Sequence, residues 1–127
     1  MSYKILIVDD SKLARMAVVK ALNALRPQWT RVEASSADEA LCAMQASAPD
    51  LALLDFNMPG RDGLELAADL RRSRPDMPVG VVSANHQRGV LDRTLAMGAS
   101  FLPKPLTEET LSRFLVMAEQ QLDKDRK

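Results

Sequence analysis

Five positions in this 127-residue chain carry side chains suited to one kind of chemistry: the adjacent carboxylates Asp9 and Asp10, the carboxylate Asp55, the hydroxyl Ser83 and the ammonium Lys104. Each lies at the end of a short apolar run. Asp9 and Asp10 follow Ile5 to Val8, Asp55 follows Leu51 to Leu54, Ser83 follows Val79 to Val82, and Lys104 follows Phe101-Leu102 after Pro103. At about 4 Å and an effective dielectric of about 20, two carboxylates repel by roughly 4 kcal/mol, so the acid pair needs a positive partner. An oxygen-rich set suits a hard divalent ion such as Mg²⁺, and a nearby lysine can neutralise a phosphate held by that ion. Phosphoryl chemistry is the reading these residue types support.

The elements that must position them are legible in the same runs. Ile5 to Val8, Val32 to Ala34, Leu51 to Leu54, Val79 to Val82 and Phe101-Leu102 are strand-sized. Between them lie helical stripes, one at Ala14, Ala17, Val18, Ala21 and Leu25, another at Leu111, Phe114, Leu115, Ala118 and Leu122. Ser36 with Glu39 reads as a capping box, Thr107 as a cap with Leu106 and Leu111 as its staple, and Gly98 as a helix stop. Near-continuous apolar strands alternating with helices predict an α/β fold, a single doubly wound (βα)5 domain whose parallel sheet has helices on both faces. In such sheets the functional crevice lies beyond the carboxyl ends of the strands, which is where the polar set falls.

Composition narrows the partners. The 17 basic and 17 acidic side chains are interspersed, without the basic stripe of a nucleic-acid or anionic-membrane binder. The single cysteine, Cys42, excludes an intrachain disulfide and reads as a small core residue in a helix. No run approaches membrane-spanning length and none has the form of a leader, so a cytoplasmic protein is expected. The domain is expected to occupy residues 1–122, with 123–127 as a charged tail or the start of a linker.

The set Asp9-Asp10, Asp55-Phe56-Asn57-Met58-Pro59-Gly60-Arg61-Asp62-Gly63, Ser83-Ala84 and Lys104-Pro105 resembles the receiver domain of bacterial two-component response regulators. The resemblance covers essentially the whole chain. It implies a five-stranded sheet of order 2-1-3-4-5, an order for which a receiver is itself a standard example, and so places the ends of the first and third strands side by side.

It also implies a role for each residue. Asp55 would be the phosphoryl acceptor, taking the group from a phosphohistidine on a sensor histidine kinase or phosphotransfer protein. Asp10 and Asp55 would ligate Mg²⁺, with Mn²⁺ as an alternative ion, Asp9 acting through water and the Asn57 main-chain carbonyl completing the set. Lys104 would meet a phosphoryl oxygen, and the peptide to Pro105 would be cis. Ser83, followed by Ala84, would donate to another phosphoryl oxygen, and Phe101 would rotate into the space Ser83 vacates, altering the surface of helix 4, strand 5 and helix 5. Serine at 83 lacks the β-methyl of the commoner threonine, so its coupling to Phe101 is expected to be loose. Asn57 and Asn85 are neutral amides that can orient water but cannot act as a base, so self-dephosphorylation of intermediate rate is expected. The chain is then a regulatory phosphoacceptor and no enzyme in the ordinary sense, with a downstream target or output domain and a phosphorylation-dependent homodimer among its expected partners.

Blander readings exist for each residue taken alone. Asp10 or Ser11 could simply cap the first helix, Asp55 could open the Met58-Pro59-Gly60 turn, and Lys104 could be a solvated lysine. Their joint placement outweighs these. An aspartate-nucleophile phosphatase would need an acid where Asn57 stands, a serine hydrolase would need a glycine elbow around Ser83, and a nucleotide binder would need a glycine fingerprint. The rival that remains is a pseudo-receiver acting as a protein-interaction module without phosphorylation.

Overall fold

The computed structural model describes residues 2–58, 60–84 and 88–125. Its elements run β1 (Lys4–Val8), α1 (Lys12–Leu25), β2 (Thr30–Ala34), α2 (Ala37–Ser47), β3 (Leu51–Asp55), α3 (Gly63–Ser73), β4 (Val79–Ser83), α4 (Arg88–Ala96), β5 (Ser100–Pro103) and α5 (Glu108–Asp125). The five strands form one sheet in the order β2-β1-β3-β4-β5, every pair parallel. This is the doubly wound α/β architecture expected from the alternation of apolar runs and helices.

Because side chains alternate across a strand, each run feeds two cores. Leu6, Val8, Ala52, Leu54, Val79 and Val81 pack with α2, α3 and α4. Ile5, Ile7, Leu51, Leu53, Val82 and Leu102 pack with α1 and α5. The stripe expected on α5 is buried throughout, at Leu111, Phe114, Leu115, Ala118 and Leu122. On α1, Val18, Ala21 and Leu25 of the expected stripe are partly buried against the same core as α5. Leu22, outside the expected stripe, is the buried residue of that helix, while Ala17 faces solvent. Alanines fill little volume, and a cleft of about 760 Å³ opens between α1 and the start of α5, past Ala14 and Ala21 on one side and Leu111 on the other.

Most helix boundaries follow their capping chemistry. Ser36 Oγ accepts from the Glu39 N–H at 3.1 Å, but Glu39 Oε1 accepts from the N–H of Ser35 at 2.8 Å, one residue earlier than a standard capping box requires. Thr107 Oγ1 accepts from the Thr110 N–H at 3.1 Å, and Leu106 packs against the core that holds Leu111. Gly98, with φ of 78°, ends α4. The expectation for Cys42 is corrected: its side chain is exposed. Ala37, Ala40, Leu41 and Met44 carry the sheet-facing stripe of α2, and Cys42, 200° around the helix from Ala40, falls on the other side.

At the amino edge of the sheet, Tyr3 and Trp29 stack edge to face at 5.5 Å, and Arg26 grips Glu119 of α5 through Nε at 3.0 Å and Nη2 at 2.6 Å. Tyr3 donates to Asp123, and α5 continues through Asp125. Among the described residues no helix is long and apolar enough to cross a membrane.

Candidate functional site

The carboxyl ends of β1, β3, β4 and β5 converge. Adjacent pairing of β1 with β3, and of β3 with β4, sets Val8 beside Leu54 and Asp55 beside Val82, so the residues just beyond these positions share one rim. Asp55 is the last residue of β3 and only 5 % exposed, Asp9 is half-buried and Asp10 is exposed. One carboxylate oxygen from each lies within 4.8 Å of the others. Lys104 reaches in from the end of β5 and places Nζ 2.6 Å from Asp55 Oδ1. The peptide from Lys104 to Pro105 is cis.

Lys104 is also tied to Ser83 through the main chain, its N–H donating to the Ser83 carbonyl at 3.0 Å. Ser83 itself is fully buried at the end of β4, and Ala84 after it is exposed. Phe101, in register with Val81, is half-buried against the core shared with α2, α3 and α4. Asn57 is exposed on the segment that follows β3. Asn85 and Pro59 lie outside the described residues.

The return from β3 into α3 is held by a contact the sequence did not disclose. The Gly63 N–H donates to the Phe56 carbonyl at 2.8 Å, and a Cβ on Gly63 would stand 2.5 Å from the Asp55 carbonyl oxygen. Glycine therefore lets the start of α3 close against the backbone of Asp55 itself. Asp62 completes the turn by capping α3, its Oδ1 accepting from the Glu65 N–H at 2.9 Å. The Asp62-x-x-Glu65 spacing is a readable helix-start signal, whereas the close approach at Gly63 becomes visible only once β3 and α3 are placed together.

Electrostatics here favour a cation. Burial raises the Asp9 carboxyl above its ordinary value of 3.8; the Ser11 N–H pulls it down, Asp55 pushes it up, Lys104 pulls it down and Asp10 pushes it up. A raised carboxyl contributes stability that is fully present below 3.8 and lost as pH rises through the native value. At neutral pH without metal, ionised Asp9 is thus a net cost. Asp9→Asn keeps an oxygen for the Ser11 N–H, which Asp9 Oδ1 accepts at 2.9 Å, and removes the charge. Its metal-free Tm at pH 7 is expected to exceed that of the unsubstituted protein, with the gain shrinking toward pH 4. Thermal unfolding followed by circular dichroism in chelator checks this, and a lower Tm at pH 7 would refute it.

The donor set is all oxygen, closely spaced and carries excess negative charge, which fits a hard divalent ion of the Mg²⁺ kind. Beside it, the Lys104 ammonium can meet an anionic oxygen. The cleft beneath α1 opens onto Asp55 and Lys104, with Ile7, Leu53 and Val82 in its lining.

Residues 5–115 match the model of the response regulator receiver domain. The positive alginate biosynthesis regulatory protein of Pseudomonas aeruginosa is 34% identical over 118 residues, which cover 91% of this chain and 47% of that protein. Among solved structures, the signal receiver domain of NarL from Mycobacterium tuberculosis is 32% identical with a TM-score of 0.82, covering 94% of this chain and 97% of that one. A CheY-like receiver domain protein from Methanospirillum hungatei shares the fold at a TM-score of 0.87 and 24% identity, with 98% and 99% covered. The chain spans about half the length of the first curated relatives it matches.

Proposed function

The chain belongs to the response regulator receiver domain family, and from that premise we propose that Asp55 accepts a phosphoryl group from a phosphohistidine, in the cytoplasm, and thereby switches a protein-interaction surface. The observation that carries this reading is the arrangement at Asp55: a carboxylate 5 % exposed, an ammonium 2.6 Å from one of its oxygens, and two further carboxylates within metal-sharing distance.

In the transfer, an Asp55 oxygen attacks phosphorus, the P–O bond forms as the P–N bond breaks, and the electron pair leaves with the imidazole of the donor. Asp10 and Asp55 directly, Asp9 through water and the Asn57 carbonyl would hold Mg²⁺ or Mn²⁺, which when bound shields the negative charges that meet in this step. Lys104 turns from Asp55 Oδ1 to a phosphoryl oxygen, and Ser83 donates its hydroxyl to another. The main-chain bond between Lys104 and Ser83 couples these two movements across β4 and β5. Phe101 repacks in response, and Asn57 and Asn85 tune hydrolysis by orienting water.

The surface that changes is formed by α4, β5 and α5. Leu91 and Leu95 on α4 and Val116 and Met117 on α5 are exposed, apolar side chains that a phosphorylation-dependent partner or second copy would cover. A phosphoryl group shifts this surface only by as much as it binds the active arrangement better. The kinase or phosphotransfer protein upstream and an output domain or target protein downstream complete the proposed pathway.

The test is covalent. Incubation with Mg²⁺ and acetyl phosphate should add one phosphoryl group to the intact protein by mass spectrometry, and Asp55→Asn should show no addition. An unmodified wild type would support the rival, an interaction module that works without phosphorylation.

A further inference from the structure

The β1–α1 turn carries the acid pair, and its conformation is fixed by a residue outside the five positions described above. Asp9 has each of its main-chain groups engaged: its N–H donates to the Ala34 carbonyl of β2 at 3.1 Å, and its carbonyl accepts from Arg15 Nη1 at 2.6 Å. Its Oδ1 takes the Ser11 N–H. Arg15 sits one turn into α1, its own N–H bonded to the Ser11 carbonyl at 3.1 Å. Its guanidinium is braced from the other side by Glu33 of β2, with Nε 3.0 Å from Oε1, and only 14 % of the Arg15 side chain is exposed. A rigid planar fork with fixed donors can span two such acceptors at once.

From this geometry, and resting on the proposed phosphoryl chemistry, we infer that Arg15 is a positioning residue for the metal centre: braced by Glu33, it holds the Asp9 carbonyl and so keeps Asp9 and Asp10 turned toward Asp55. The fork links the start of α1, the end of β1 and the edge strand β2 beside the carboxylates. Without it, the Asp9 carbonyl has no hydrogen-bond donor among the described residues, and the turn is free to swing the two carboxylates away from the third.

Charge alone predicts the opposite result, which makes the inference testable. Arg15 is a cation near a site that binds cations. If it acted only through its charge, removing it would strengthen Mg²⁺ binding; if it acts by holding the turn, removing it weakens binding. Loss of a group that orients metal ligands typically costs about tenfold or more in affinity. In Arg15→Met, calorimetric titration of the full chain is expected to give a Mg²⁺ Kd about tenfold higher than wild type. The Mg²⁺ needed for half-maximal acetyl phosphate labelling should rise in step, with labelling regained at saturating Mg²⁺.

An equal or lower Kd in Arg15→Met overturns the inference, whatever happens to its Tm. Should that variant not fold, Arg15→Lys carries the same test, because lysine keeps the charge but lacks the rigid fork whose Nε and Nη1 meet Glu33 and the Asp9 carbonyl at once: weaker binding supports the clamp and unchanged binding overturns it. A wild type that binds Mg²⁺ beside an Arg15→Met that binds it equally well removes the clamp alone. A wild type that neither binds Mg²⁺ nor takes a phosphoryl group removes the proposed function and the clamp together.

Discussion

Replacing Lys104 with methionine is expected to slow phosphorylation of Asp55 by acetyl phosphate about a hundredfold at saturating Mg²⁺. Methionine approximates the length of the lysine stem, so the packing between Pro103 and Pro105 is largely kept while the charge is lost. The reacting group carries negative charge beside Asp55, and among the described ion pairs Lys104 is the cation on that carboxylate, with Nζ 2.6 Å from Oδ1. Donors fixed where charge develops commonly contribute two to three powers of ten in rate, and a divalent ion on the far side of the group does not replace one. The same substitution leaves a carboxylate 5 % exposed without its counter-ion. Metal-free stability should therefore fall by about 2 kcal/mol, less than for a fully enclosed pair because the Lys104 side chain is 35 % exposed. Timed mass spectrometry and urea unfolding measure the two effects separately. A labelling rate within a factor of three of wild type would remove Lys104 from the transfer step.

How these parts could be recognised in advance depends on whether their signal is local. Strands covered on both faces must be apolar on both, so β1, β3 and β4 announce themselves as unbroken runs such as Leu51 to Leu54. The edge strand β2 is covered differently, with Thr30 and Glu33 exposed, and its apolar residues mark only the last part of Thr30–Ala34. The α5 stripe is legible because leucines and a phenylalanine define one face. In α1, the alanines leave the centre of the stripe undefined: Val18, Ala21 and Leu25 pack on the core as expected, Leu22 between them is the buried residue, and Ala17 faces out. Cys42 shows a related limit: its residue type is usually buried, but Ala37, Ala40, Leu41 and Met44 already carry the packed face of α2 and leave it outside.

The reacting groups were legible because each belongs to the end of its own strand, where position along the chain almost fixes position in space. The supports around them are different in kind. Arg15 meets Glu33 and Gly63 meets the Asp55 backbone only after β2, β1, β3 and α3 have been assembled, and no spacing along the chain reports such a meeting. An arginine in the second turn of a helix looks like an ordinary solvated cation until the strand beside it is known. The groups that hold the centre in shape are therefore the ones a sequence hides.

The mutual repulsion of Asp9, Asp10 and Asp55 leads to the second large effect. Metal-free, three carboxylates share a rim with one ammonium, and burial holds the Asp9 carboxyl above its ordinary value. A divalent ion turns these repulsions into attraction to a shared centre, and because the unfolded chain scatters the three ligands, binding energy is added to folding energy. At a hundredfold excess of Mg²⁺ over Kd the gain is about 2.7 kcal/mol, on the order of 10 °C in Tm for a domain of this size. Asp10→Ala removes one ligand and one of the repelling charges together. Its metal-free Tm should therefore change little or rise, while its response to Mg²⁺ should shrink to a small fraction of the wild-type gain at the same concentration. Ionic strength must be matched with a monovalent salt, since screening alone would relieve part of the repulsion. Equal Mg²⁺-induced shifts in the two proteins would show that the ion acts elsewhere on the surface; a large shift confined to wild type would tie the cost of the adjacent carboxylates to the site they form with Asp55.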